Sequence, residues 1–232
     1  MKASDRLLVE QYTAHALAAG RDFDQALSIA LEVMKELEKE TVRMPEDSRE
    51  KIQNLVGDMI EGGSQPPGIV HSAKGVCELL HRAAETKNLH EETLWTLASG
   101  YLRSGREWSF LGQSIIIVVQ EVEAAMSSLP PAERDLLRSI GAEYLSSGRA
   151  PEATAVRAHQ VVREFRNASV DLPREQKDIV AEFAAAYVRG GRDAAFAIER
   201  AVRMAQNFID QSQELDEDDA RLAKELVAEY LS

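Results

Sequence analysis

The sequence predicts an all-α protein: an α-solenoid of five stacked antiparallel helix hairpins closed by a C-terminal capping helix. Three observations carry this. The phrase "GYLRSGR" at 100–106 returns as "EYLSSGR" at 143–149 and "AYVRGGR" at 186–192. Stepping back from Gly105 at the same interval lands on Gly63 and Gly20, so the glycines stand 43, 42, 43 and 43 residues apart. Apolar residues recur at helical spacing on both sides of each glycine, and a period of this size marks a repeat architecture.

The first helix of each unit ends at the glycine. Eleven residues before it stand Val9, Ile52, Leu94, Leu137 and Val180, and eight before it Tyr12, Leu55, Leu97, Ile140 and Phe183. Four before are Ala16, Met59, Tyr101, Tyr144 and Tyr187; three before are Leu17, Ile60, Leu102, Leu145 and Val188. Spacings of three, four and one place these on one helix face. The columns six and seven before the glycine are mostly small, which lets a neighbouring helix approach closely. Glycine just past the helix suits a left-handed C-terminal cap, and the arginine after it (Arg106, Arg149, Arg192) suits the negative end of the helix dipole.

A second helix follows. Its columns read Ala30, Ala73, Ile115, Ala158, Ala201; then Val33, Val76, Val118, Val161, Met204; then Met34, Cys77, Val119, Val162, Ala205; then Leu37, Leu80, Val122, Phe165, Phe208. This i, i+3, i+4, i+7 stripe is an amphipathic helix in every copy. Pro66, Pro67 and Pro151 lie near its start, where a missing N–H costs nothing. The loops between units carry "MPED", "LPPAE", "LPRE" and "LDEDD", whose acids favour the next helix N-terminus. The "SIIIVVQEV" stretch places its apolar residues in the core columns of the central unit and reads as a buried helix.

A single hairpin cannot bury both faces, so hairpins stack. The units are 4–43, 44–87, 88–129, 130–172 and 173–214, in one domain over 1–232. Residues 215–232 repeat the first helix alone and serve as a cap over the last hairpin, giving eleven helices. Leu226 and Tyr230 on that cap leave apolar surface through which a homodimer could form.

Leu97, Ala98, Tyr101 and Gly105 fill the places of a large apolar residue, a small one, a tyrosine and a glycine. Ile140, Gly141, Tyr144 and Gly148 do so again, as do Phe183, Ala184, Tyr187 and Gly191. In this the unit resembles the first helix of the tetratricopeptide repeat. Ala153 matches the alanine expected early in the second helix, whereas Phe110 and Phe196 replace it in neighbouring units. The units are longer than the roughly 34 residues usual for that family, and the length also suits HEAT-type repeats. The tyrosine and glycine favour a long-helix, tetratricopeptide-like reading. The resemblance implies that partner peptides lie along a concave face lined by the first helices. By position that groove contains Trp95, Ser99, Leu102, Arg103, Arg138, Leu145 and Arg189, with Asp135 and Asp178 at its rim. Trp95 stands in a column otherwise filled by Glu10, Gln53, Arg138, Ala181 and Lys224, so it is either a binding anchor or packed on a neighbouring helix.

Composition narrows the function. The chain has 232 residues, 44% hydrophobic and 28% charged, the balance of a folded soluble protein. With 27 Lys+Arg against 39 Asp+Glu the formal charge is −12, which disfavours nucleic-acid binding. No unbroken apolar run is long enough to span a membrane, no signal-peptide core opens the chain, and the lone Cys77 fits a reducing compartment. The expected location is cytoplasmic. No phosphate-cradling loop or paired-His metal motif is present. His71, Cys77 and His81 share a helix, but Cys77 falls in a core column and His81 in a surface one. No cofactor is expected, nor catalysis. The leading expectation is a non-catalytic scaffold or adaptor that binds a protein or peptide segment, one bearing acidic groups that meet Arg103, Arg138 and Arg189. The alternative is an acidic decoy that mimics nucleic acid or occupies a basic protein surface.

Overall fold

The turn that ends each first helix shows why the phrase repeats. All five repeat glycines adopt left-handed φ, from 76° at Gly105 to 89° at Gly63, a conformation other residues enter only at a cost. In three of these turns the N–H after the glycine returns to the carbonyl of the residue four before it: Arg21 to Ala16, Ser64 to Met59 and Arg192 to Tyr187. This closes the last helical turn in a Schellman-type cap. The repeat tyrosine then supports the repeat arginine: the Arg106 guanidinium lies 5.4 Å from the Tyr101 ring and that of Arg149 5.0 Å from Tyr144. Arg149 also donates to the carbonyls of Gly191 and Arg192 in the next turn, and Arg21 reaches the Gly63 carbonyl at 3.4 Å in the same way. The arginine is therefore more than a dipole partner. It fastens one hairpin turn to the next.

The computed structural model describes residues 3–212 and 215–231, without the side chains of Ala3 and Glu217. Glu214, at the end of the fifth unit, and Ser232 of the cap lie outside the described residues. Within these, the chain forms eleven α-helices, two short 3-10 turns and no strand. It divides into two compact units, residues 1–119 and 120–232.

The first unit holds α1 (Ala3–Ala18), α2 (Phe23–Thr41), α3 (Glu46–Glu61), α4 (Ile69–Lys87) and α5 (Glu91–Arg103). Here α1 packs on α2 and α3, while α3 packs on α4 and α5; α4 touches both α2 and α5. Asp22 caps α2 by accepting from the Gln25 N–H at 2.9 Å, and Glu46 and Asp47 occupy the first turn of α3. The second unit holds α7 (Pro131–Ser146), α8 (Thr154–Ala168), α9 (Arg174–Arg189), α10 (Ala194–Ser212) and α11 (Glu217–Leu231). Its first helices α7, α9 and α11 pack in that order, α8 lies on α7 and α10, and α10 on α9. The terminal helix thus covers α9 as one first helix covers another, and Lys224 ties it there through Glu182 at 2.7 Å.

The helix α6 (Leu111–Met126) contains the apolar stretch at the middle of the chain. Ile115, Val118, Val119 and Val122 are buried, as their columns require, and Ile117 is exposed. The segment Trp108–Met126 has a mean hydropathy of 1.2 and meets the length and composition of a membrane span. A search for unbroken apolar runs misses it because Gly112, Gln113, Ser114 and Gln120 interrupt. Its buried stripe and exposed opposite side follow the pattern of a core helix.

The core columns are buried with few exceptions. Leu17 is 43% exposed, because α1 has no earlier first helix to cover that side among the described residues. Met204 and Phe208 are half-buried on α10, which has no later second helix against it among the described residues. Phe208 meets the Phe183 ring edge-on at 6.0 Å.

Two adjacent glycines separate two causes. Gly62 has an ordinary φ of −71°, yet a Cβ there would stand 2.2 Å from the Leu102 carbonyl oxygen. Gly63 has open space and a left-handed φ. Gly62→Ala is expected to cost about 2–3 kcal/mol through forced separation of α3 and α5, and Gly63→Ala about 1 kcal/mol of backbone strain. Urea unfolding of the two variants checks that order.

Candidate functional site

The first-helix face is built from two columns that the sequence reading did not connect. The residue five before the repeat glycine in one hairpin meets the residue two before the glycine in the next. His15 Nδ1 lies 2.9 Å from Glu61 Oε2. Asp58 Oδ1 lies 3.8 Å from Arg103 Nε, which also stands 4.0 Å (through Nη1) from Glu61. In the second unit Glu143 accepts two bonds from Arg189, at 2.6 and 2.8 Å, and a third from the Ser146 hydroxyl at 3.1 Å. Each is a rung between neighbouring first helices, separated by 45 or 46 residues. A search for a carboxylate and a basic or imidazole side chain at one period plus three would have found them.

Small residues make room for the rungs. A Cβ at Gly57 would sit 2.8 Å from His15 Nε2, so that glycine admits the imidazole. Ser99, from the same column, hydrogen-bonds the Asp58 carboxylate.

The expected groove residues fall into three groups. Leu102 and Leu145 are 2% and 0% exposed, and this corrects their assignment to a binding surface: they share the buried column of Ile60 and Val188. The arginines are engaged internally. Arg103 and Arg189 belong to the rungs above, and Arg138 pairs with Asp135 one helical turn earlier. Ser99 is held by Asp58, and Asp178 is exposed.

Trp95 forms the third group. It is half-buried on α5 and packed by neighbouring helices. The Lys51 ammonium sits 5.5 Å from its ring centroid, His81 meets it edge-on at 5.6 Å, and its indole N–H donates to Glu91 at 3.3 Å. Glu91 also accepts from Lys51 at 2.8 Å, an interaction that raises the Lys51 ammonium and lowers the Glu91 carboxyl from their ordinary ranges. The tryptophan is therefore both supported by helices and open on one side. His81 takes part through its ring. Cys77 is buried, and burial pushes its thiol up. Among the described residues no group of three or more His, Cys, Asp or Glu is placed to hold a metal ion.

No family model, curated protein or solved structure matches this chain.

Burial raises the Asp58 carboxyl to about 6, against the lowering effects of Ser99 and Arg103. A folded value above the unfolded one stabilises the fold fully below the unfolded value near 3.8, and that contribution is lost as pH rises through 6. Asp58→Asn is therefore expected to melt higher than the wild type at neutral pH, by an amount on the order of 2–3 kcal/mol. The gap should close near the unfolded carboxyl value. Thermal melts of both proteins from acid to neutral pH measure this, and a gap that widens on acidification would contradict it.

Proposed function

We propose that this chain is a non-catalytic helical-repeat scaffold that takes a protein or peptide segment on the first-helix face around Trp95. In this reading its hairpins stack as an α-solenoid of the tetratricopeptide-like kind. The supporting observation is Trp95 itself, a half-buried indole in a column otherwise filled by polar residues and one alanine, held rigid by Lys51, His81 and Glu91. A rigid aromatic beside exposed polar groups loses little entropy on binding, and tryptophan is among the residues that dominate interface energetics. The core columns and the charged rungs are both committed to holding hairpins together, which leaves binding as the use of the remaining face.

The engagement of Arg103 and Arg189 by Glu61, Asp58 and Glu143 shifts the expected partner chemistry. Both guanidinium groups already face carboxylates of their own chain, so the segment at this face is recognised chiefly by an apolar or aromatic group laid against Trp95. The same pairing weakens the decoy alternative. Glu61, Glu133 and Glu143 are largely covered and each face a cation of their own chain, and a decoy needs its acids turned outward.

Trp95→Ala should lose a partner captured from the native host, at a cost of about 2 kcal/mol or more, whereas Trp108→Ala should retain it. Both variants must keep wild-type circular dichroism. Recovery of the same proteins on both would place the binding surface elsewhere.

A further inference from the structure

The second unit contains a cleft of about 330 Å3 between the α7–α8 turn and the α9–α10 turn. Its floor is apolar, with Tyr144, Val161 and Val188 all buried. Its rim carries three guanidinium groups, Arg149, Arg157 and Arg192, and one carboxylate, Asp193. This reverses the balance of the chain, in which acids outnumber bases by 39 to 27.

Two of the four rim groups already have work in the fold. Asp193 accepts the Phe196 N–H at 2.9 Å and so caps α10. Arg149 stacks on Tyr144 and donates to the carbonyls of the next turn. Arg157 and Arg192 are different. Both are exposed. Arg157 has a 3.3 Å bond to the Gln160 side chain, and Arg192 lies 5.6 Å from the Phe196 ring. Neither forms an ion pair among the described residues. By contrast Arg103, Arg138, Arg166 and Arg189 all meet carboxylates. Exposed arginines elsewhere, such as Arg43 and Arg174, also have no ion pair among the described residues; what sets Arg157 and Arg192 apart is that they share one rim with a third guanidinium above an apolar floor.

We propose that this cleft binds an oxyanion-headed side chain with an apolar stem, either a carboxylate or a phosphate ester. Like charges gathered at one rim repel until an anion is shared between them. The planar forks of Arg157 and Arg192 can each pair with two oxygens of such a group. The stem lies on the Tyr144, Val161 and Val188 floor. The volume is at the small end of ligand pockets, suited to a single side chain. The net charge of −12 opposes an incoming anion at long range, but salt screens that field beyond about 8 Å. This site lies apart from the Trp95 surface and does not rest on it.

The test titrates phenyl phosphate, benzoate and the uncharged benzamide into the 15N-labelled full chain at about 150 mM salt, following the amides of Arg149, Arg157, Gly191 and Arg192. Saturable shifts with an anion and none with benzamide are expected, and the tighter of the two anions identifies the source of the oxyanion. Arg157→Gln and Arg192→Gln should each weaken binding roughly tenfold or more. Arg163→Gln, an exposed position paired with Glu164, should not. The variants replace exposed side chains, and circular dichroism confirms their fold. No saturable binding of either anion, equal binding of benzamide, or undiminished affinity in Arg157→Gln and Arg192→Gln would overturn the site. The probes are small molecules, so the outcome is independent of whether Trp95 anchors a partner.

Discussion

The hairpin turn is the constraint on which both units depend. A left-handed glycine stops the first helix, and the backbone closes on the carbonyl of the residue four earlier. In the later copies that residue is a tyrosine; the Tyr101 and Tyr144 rings carry Arg106 and Arg149, whereas Arg192 lies over Phe196. The same arginine can then reach the neighbouring turn, as Arg149 does. One short phrase therefore ends a helix, sets the reversal and joins consecutive hairpins. A second helix can meet the first only because the reversal is tight, and the buried columns follow from that meeting.

The charged rungs act on a different face with a different energetic balance. Burying a carboxylate is unfavourable unless it is paired and hydrogen-bonded. Glu143 meets that demand with three donors. Asp58 meets it less fully, with longer contacts to Arg103, and its carboxyl rises accordingly. Such pairs contribute little net stability compared with apolar packing. They do fix register, because a helix displaced by one turn would bring the wrong column opposite the acid. Gly57 has the complementary role of admitting His15.

Most of the fold was legible in the sequence because columns average over local noise. The identity of any one residue says little, but five residues at one offset from a glycine report a shared environment. That logic recovered the eleven helices, the core columns and the buried place of Cys77. It failed where one residue has two readings. Leu102 and Leu145 precede the half-buried polar residues Arg103 and Ser146 along the helix, yet their own side chains are buried. The arginines were legible as a set but not their partners, since an ion pair depends on two columns read together across a period. The cleft at Arg157 was illegible for a related reason: it joins a second-helix position to two turn positions, and no single periodicity connects them.

The rungs of 45 and 46 residues have a further consequence for how such a chain can change length. Each of these rungs spans about one period, whatever its place in the sequence. Duplicating a whole hairpin would leave each of those separations intact and simply add another rung. Inserting a residue within a helix would instead rotate everything beyond it by about 100° and bring wrong columns face to face. The 42-residue step between Gly63 and Gly105 shortens the Asp58–Arg103 rung by one residue without breaking it, so length variation is absorbed in the connections. For this architecture the natural unit of tolerated change is the hairpin, with its loops as the only fine adjustment.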